Sequence, residues 1–137
     1  MLFDLFKRKR KDTVVDIALS EDDEKWNRMW DMWVNGEIPS PYSELMTYQS
    51  EINNGGHSQY FLNIENTEDV SKDLESLNGI LSQVHKDNLE TAYKASLLLK
   101  QDEENEEAED ELNECDNVFY DNEEEINCIL KAFCNDL

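Results

Sequence analysis

The sequence predicts an all-α fold, a single compact domain of about five to seven helices with a short basic N-terminal tail. Apolar residues recur at helical spacing in several segments, and no segment shows the sustained apolar and polar alternation that is typical of strands. Neither glycine nor proline occurs after Gly79, so nothing in the second half breaks a helix. The 137 residues suffice for one ordinary domain. We therefore expect a flexible basic tail over residues 1–19 and an acidic helical domain over residues 20–137.

The first helix is predicted to begin after Ser20, a favourable N-cap that three acidic residues follow. Its core-facing side carries large apolar residues at positions i, i+3, i+4 and i+7: Trp26, Met29, Trp30 and Trp33. Residues 35–36 (Asn-Gly) end it, and residues 40–41 (Ser-Pro) predict the start of a second helix that runs to residues 53–54.

Two adjacent glycines after the second helix predict a tight corner followed by a short helix. We expect Gly55 to adopt the left-handed conformation and Gly56 to let the chain turn. Gln59 and Asn63, four residues apart, are expected to bond carbonyl groups exposed at this corner. Backbone N–H groups of the glycines would suit an anion, but the negative charge of the domain favours a structural corner.

Three further helices are predicted. The third is capped near Thr67, and its apolar face comprises Val70, Leu74, Leu77, Leu81 and Val84. Asp87 and Glu90 form a capping-box pattern for the fourth. The last begins after residues 121–122 and presents Ile126, Ile129, Leu130 and Phe133 on one side.

Acidic residues dominate the composition: 33 Asp and Glu against 12 Lys and Arg give a formal net charge of −21. Five of the basic residues form the run KRKRK at residues 7–11, and the remaining chain holds 7 bases against 32 acids. Such a surface repels nucleic acids and attracts basic proteins over about 8 Å at physiological salt. Because 39% of the residues are hydrophobic, the chain is a folded domain and not a disordered acidic tail.

The segment from residue 101 to residue 125 is the most acidic part of the chain, with 14 acids and no base. An apolar stripe at spacings of four, three and four predicts that it folds as a helix against the core: Ala108, Leu112, Cys115 and Phe119. An adjacent solvent-facing stripe would then comprise Glu103, Glu107, Glu111 and Glu114. Neighbouring carboxylates on such a stripe lie about 6 Å apart, which is comparable with the phosphate spacing of a nucleic-acid strand.

The residues that most often catalyse reactions or bind metals lack the spacing that such sites need. The only histidines are His57 and His85. No two of the three cysteines, Cys115, Cys128 and Cys134, have the C-x-x-C spacing of a redox or zinc site. We expect reduced thiols, no catalytic residues, no metal and no cofactor.

No apolar run approaches the ~20 residues of a membrane span, which indicates a cytoplasmic protein whose residues 2–11 make at most a weak peripheral contact with a membrane.

The glycine corner carries a resemblance to a known family. The segment resembles the signature E-x-N-N-G-G-F-x-Q-[FY]-F-x-N of a DNA-mimic protein C-terminal domain-like family of small acidic bacterial domains, mostly of unknown function. The matching residues are Glu51, Asn53, Asn54, Gly55, Gly56, Gln59, Tyr60, Phe61 and Asn63. The resemblance extends from about Trp26 to the C-terminus and implies an all-helical fold. His57 replaces the aromatic residue of the signature, which predicts a more polar and less tightly packed corner.

These observations predict a non-enzymatic interaction protein whose carboxylates occupy the DNA-binding surface of a basic partner, such as a transcription regulator. The residues expected to stand in for phosphates are Glu103, Glu106, Glu107, Asp110, Glu111 and Glu114. An immunity or antitoxin protein that caps a basic nuclease fits the same composition. A small-ligand-binding domain or an enzyme would instead need a pocket near Asn53, Asn54, His57 and Gln59, and a plain scaffold would use acidity for solubility alone. The apolar stripes on the helices are also compatible with a homodimer.

Overall fold

Helices account for nearly all of the structure, as the sequence predicts. The computed structural model describes residues 20–67 and 69–137, and within them six helices and no strand occur. The helices are α1 (Glu21–Val34), α2 (Tyr42–Thr67), α3 (Val70–Asn78), α4 (Gln83–Gln101), α5 (Glu106–Asp121) and α6 (Glu123–Asn135). The predictions of a flexible tail over residues 1–19 and of a membrane contact through residues 2–11 fall outside the described residues.

Helix α1 has the predicted start and core face. The Ser20 hydroxyl accepts a hydrogen bond from the Asp23 backbone N–H at 3.1 Å, so an orphan N–H of the first turn is satisfied. Met29 is fully buried, whereas the three tryptophans are only partly buried against the core. The helix packs against α6, and the Trp33 indole N–H donates to the Thr47 hydroxyl of α2 at 3.1 Å.

Helix α2 contains the predicted corner, one residue later than expected. Gly56 has φ 78° and ψ −176°, and it separates two helical segments of α2. The prediction that Gly55 is the left-handed residue is wrong, because Gly55 still belongs to the first segment and only Gly56 leaves the helical region. A side chain at φ 78° is strained, so the turn requires glycine at this position.

The predicted boundary between α3 and α4 is also wrong. Helix α3 ends at Asn78, before Gly79, and α4 begins after Ser82, so Val84 lies in α4 and not on the face of α3. Asp87 consequently lies inside α4 and does not cap it. The start shifts because Ser82 is extended (φ −66°, ψ 164°) and its carbonyl already accepts the Lys86 N–H at 2.9 Å. Asp69, near the predicted Thr67, caps α3 by accepting the Lys72 N–H.

The core lies around α2, which contacts α3, α4, α5 and α6. Helix α5 buries the predicted stripe of Ala108, Leu112, Cys115 and Phe119, and α6 buries Ile126 and Leu130. Each large apolar side chain contributes roughly 1.5 to 3 kcal/mol on full burial, which outweighs the repulsion of a few tenths of a kcal/mol per carboxylate pair on α5. Within residues 20–67 and 69–137, no helix has the length and apolar content needed to cross a bilayer.

Candidate functional site

The six carboxylates predicted to bind a partner are all exposed: Glu103, Glu106, Glu107, Asp110, Glu111 and Glu114. Five of them lie on α5, whereas Glu103 lies in the loop before it and does not belong to the predicted helical stripe. The helix begins at Glu106 because the Asn105 side chain caps it by accepting the Ala108 N–H at 3.1 Å.

An open groove of about 780 Å³ separates α4 from α5. Its lining includes four of the predicted carboxylates and one from α4: Glu107, Asp110, Glu111, Glu114 and Asp87. None of these five forms an ion pair with a residue of the described segments. Glu103 and Glu106 lie outside the lining, so only four of the six carboxylates predicted to bind a partner line the groove. We name the five lining residues the groove carboxylates.

Asp87 is the member of this cluster that the sequence did not reveal, because the capping-box pattern assigned it to a helix start. Its Oδ1 accepts the Gln83 side-chain amide at 2.8 Å, across one turn of α4. Beneath the groove, the Asn88 side chain is buried and donates to the Cys115 carbonyl at 2.8 Å, which fixes α4 against α5. The two helices that form the walls of the groove are therefore held in a fixed relation.

The electrostatic field of the acidic helix is evident at Cys115. Burial, followed by the carboxylates of Glu111, Asp116 and Glu114, raises the pKa of this thiol to about 11. The thiol is therefore protonated at neutral pH, and a thiolate nucleophile does not form there. All three cysteines are free thiols, of which Cys128 is exposed.

The glycine corner is joined to α5 through a buried polar chain. The His57 backbone N–H donates to Asp116 Oδ1 at 2.8 Å, and His57 Nδ1 lies 2.6 Å from the same oxygen. His57 Nε2 lies 2.6 Å from the Tyr48 hydroxyl. Burial raises the pKa of Tyr48, with smaller contributions from Tyr60, Cys115 and Asp116, so the phenol keeps its proton and donates to Nε2. This assigns the imidazole proton to Nδ1, which donates to Asp116.

His57 is fully buried and its ring contacts Tyr48, Phe61 and Phe119. Histidine at this position makes the corner polar, as predicted, because the side chains of Tyr48 and Asp116 bond the ring. The corner is nevertheless well packed at this position, contrary to the prediction. With its ring inside the core, His57 is not available to a ligand in this conformation.

The sequence predicted that Gln59 and Asn63 bond exposed backbone carbonyls at the corner, but the structure gives both side chains a carboxylate as partner. Both side-chain amides donate to the Glu51 carboxylate, Gln59 at 3.1 Å. A charged acceptor forms stronger hydrogen bonds than a neutral carbonyl, and Glu51 lies two turns earlier on the same kinked helix. Gly55 leaves room for this contact, since a Cβ there would lie 2.2 Å from Gln59 Oε1.

The rest of the motif fastens α2 to the C-terminal helices. Asn53 donates to Gln49 O at 2.9 Å and to the Glu123 carboxylate at 2.7 Å, and Gln49 donates to Glu123 at 3.0 Å. The Tyr120 hydroxyl donates to the Ile52 carbonyl at 2.8 Å. Asn54 is exposed. The motif therefore stabilises the kink and its contacts with α5 and α6. No group of three or more His, Cys, Asp or Glu side chains in residues 20–67 and 69–137 has an arrangement that could hold a metal ion.

The fold and the groove define a small all-α domain with an acidic face that has no ion-pair partner among the described residues. A family model described as DMP19-like protein matches residues 43–136, more than half of the chain, and the chain therefore belongs to the DMP19-like family. The resemblance to a DNA-mimic protein C-terminal domain-like family is wrong, because no model of such a family matches. The signature residues serve the kink and its packing, so they identify a fold and carry no information on surface charge. Neither a curated protein nor a solved structure matches the chain.

Proposed function

We propose that this protein is a non-enzymatic acidic interaction protein whose groove carboxylates bind the nucleic-acid-binding surface of a basic protein. The observation that carries the proposal is the alignment of five carboxylates along one groove with no cationic partner in the described segments. A basic protein that approaches this groove gains ion pairs without first breaking any between residues of the described segments.

Negative charge in this region is concentrated enough to guide association. The net charge of the whole chain is −21, and residues 101–125 contain no base. A field of this kind accelerates encounter with a basic surface and makes the association strongly dependent on salt. A DNA-binding surface fits these requirements, because its lysines and arginines already face a regular row of negative charges.

An immunity protein that caps a basic nuclease would use the same groove and the same chemistry. The two functions differ in the identity of the partner and in what the partner does when it is released. The partner's activity therefore decides between them: nuclease cleavage of DNA by the released protein identifies an immunity function, and sequence-specific DNA binding identifies regulation.

The test is affinity capture from a lysate of the source cells with three forms of the full chain. The groove variant carries Glu107→Gln, Asp110→Asn, Glu111→Gln and Glu114→Gln. The matched variant carries Glu21→Gln, Glu24→Gln, Glu37→Gln and Glu75→Gln, which removes the same charge from exposed positions outside the groove. Bound proteins are eluted with salt or with competing duplex DNA.

We expect the unmodified chain and the matched variant to retain one DNA-binding or nuclease protein that duplex DNA displaces, and the groove variant to lose it. Equal capture by all three forms, or a broad mixture of basic proteins, would contradict the proposal and indicate that acidity serves solubility.

A further inference from the structure

The groove between α4 and α5 is lined by apolar surface as well as by carboxylates. We name the apolar surface, to which Val84, Thr91 and Val118 contribute, the apolar floor. Val84 of α4 is 44% exposed there, and Val118 and Thr91 are partly exposed at the same lining. Exposed valine gains free energy when an apolar group covers it, and the carboxylates gain when a cation approaches. The groove therefore suits a segment that carries apolar and basic side chains together, and a purely cationic segment would leave the floor uncovered.

One segment of this chain has that composition. Residues 2–11 read LFDLFKRKRK and hold four large apolar residues followed by five consecutive bases, whereas the whole chain has only 12 bases. This segment lies outside the described residues.

We propose that residues 2–11 bind in the groove between α4 and α5, with leucine and phenylalanine side chains on the apolar floor and lysine and arginine side chains against the groove carboxylates. The contact is intramolecular. The groove then has its own occupant before any other protein arrives.

The length of the intervening chain permits this contact. Nine peptide steps separate Lys11 from Ser20, and an extended chain covers up to about 30 Å in nine steps. Helix α1 packs against α6, and Ser82, two residues before Val84 of the groove, donates to Glu125 near the start of α6 at 3.3 Å. The 13 residues of α6 cover about 20 Å, so nine extended steps are sufficient to pass along this helix. Tethering over a short segment gives effective concentrations in the millimolar range, so a weak intrinsic affinity is sufficient.

A basic segment without specificity would pair with the nearest run of consecutive acids, namely residues 21–24 at the start of α1. The apolar floor distinguishes the groove from that cluster. Removal of the two phenylalanines while all five bases remain is therefore the informative change, because it leaves the charge attraction to both clusters intact.

The first experiment uses zero-length carbodiimide crosslinking of the full chain at low salt, with peptides identified by mass spectrometry. We expect Lys7, Lys9 or Lys11 to join the groove carboxylates, and these products to disappear near about 1 M salt, where the Debye length is about 3 Å. A mixture of ¹⁵N-labelled and unlabelled chain separates intramolecular from intermolecular products. Products confined to residues 21–24, spread over all exposed acids, or formed only between molecules would overturn the proposal.

The second experiment compares the full chain with a Phe3→Ser, Phe6→Ser variant in the same crosslinking reaction. We expect groove products to fall at least about fivefold while products with residues 21–24 persist or increase. Unchanged groove products would overturn the role of the apolar floor. Amide resonances provide a readout independent of crosslinking: those of Val84, Thr91 and Val118 should shift between the two forms, and those of α3 should not.

This inference does not depend on the proposed function, since neither experiment contains a partner. If the segment occupies the groove and no partner is captured, only the proposed function fails. If a partner is captured and no groove products form, only this inference fails. If both hold, replacement of the bases at residues 7–11 by serine should strengthen partner binding.

Discussion

His57 of α2 and Asp116 of α5 are joined twice: the imidazole Nδ1 lies 2.6 Å from Asp116 Oδ1, and the His57 backbone N–H donates to that oxygen at 2.8 Å. The pair links the kink in α2 to the helix that carries most of the groove carboxylates. Because His57 is fully buried and Asp116 is partly shielded, removal of either leaves polar groups without partners inside the protein.

Asp116→Ala should destabilise the fold by about 3 kcal/mol, because the His57 ring and backbone N–H groups would both lose a charged acceptor. Urea unfolding followed by circular dichroism measures the free energy of unfolding. Asp110→Ala is the control, since Asp110 is an exposed acid on the same helix, and it should change stability by less than about 0.5 kcal/mol. Similar losses in the two variants would contradict the role assigned to Asp116.

Gly56→Ala should cost about 2 to 4 kcal/mol, because a side chain at φ 78° is strained and its Cβ would lie 2.4 Å from Asp116 Oδ2. Gly36→Ala is the comparison in which a positive φ occurs without a contact to the added Cβ. Gly36 has φ 74° but no atom within 4 Å of the added Cβ, so only backbone strain of about 1 kcal/mol is expected. Thermal unfolding of both variants makes the comparison, and equal shifts would show that contact with Asp116 adds nothing.

His57→Phe should destabilise the protein by about 2 kcal/mol, although phenylalanine keeps an aromatic ring at this position, because the Tyr48 hydroxyl and Asp116 both lose their ring partner. Adding Tyr48→Phe to the His57→Phe variant removes the hydroxyl that has lost its hydrogen-bond partner. The double variant should therefore be less destabilised than the sum of the single variants, by about 1 kcal/mol in a double-mutant cycle. Additive effects would mean that the Tyr48 hydroxyl and the ring are not coupled.

The groove variant should be more stable than the unmodified chain by about 1 kcal/mol at low salt. It removes four like-charge pairs at i, i+3 and i, i+4 on α5, each of which costs a few tenths of a kcal/mol. Their removal outweighs the loss of one first-turn acid, Glu107, from the positive end of the α5 dipole. The gain should disappear near about 1 M salt, where exposed charges are screened. The matched variant should instead lose stability, since Glu21 and Glu24 lie at the positive end of the α1 dipole. Differential scanning calorimetry at two salt concentrations tests this contrast.

Stability should fall as pH rises from about 9 to about 11, and Cys115 should account for part of the loss. Its pKa is raised from 9.0 to about 11 by burial and by the neighbouring carboxylates. In this window the unfolded chain has already released the thiol proton that the folded protein retains, so unfolding releases a proton and becomes more favourable with pH. Cys115→Ala should lose less stability over this window than the unmodified chain, whereas the exposed Cys128→Ala should behave like the unmodified chain. Parallel pH profiles for all three forms would contradict the assignment.

The helical class was predictable because helical periodicity and caps are local properties of the chain. The stripe of Ala108, Leu112, Cys115 and Phe119 indicated which side of the acidic helix is buried, and Ser20 indicated where α1 begins. The two glycines likewise predicted a corner, although φ and ψ at each depend on what packs against the turn. Only the structure assigns the left-handed residue to Gly56, where Asp116 approaches the backbone.

The sequence by itself determined the all-α class, the excess of negative charge and the exposed side of the acidic helix, because these follow from residue type and spacing of three or four. The tertiary structure decided the rest. Asp87 joins the groove from another helix, and His57 finds Asp116 at a sequence distance of 59 residues. Contacts of this range depend on how helices pack, and periodicity within a helix carries no information on which partner its side chains will meet.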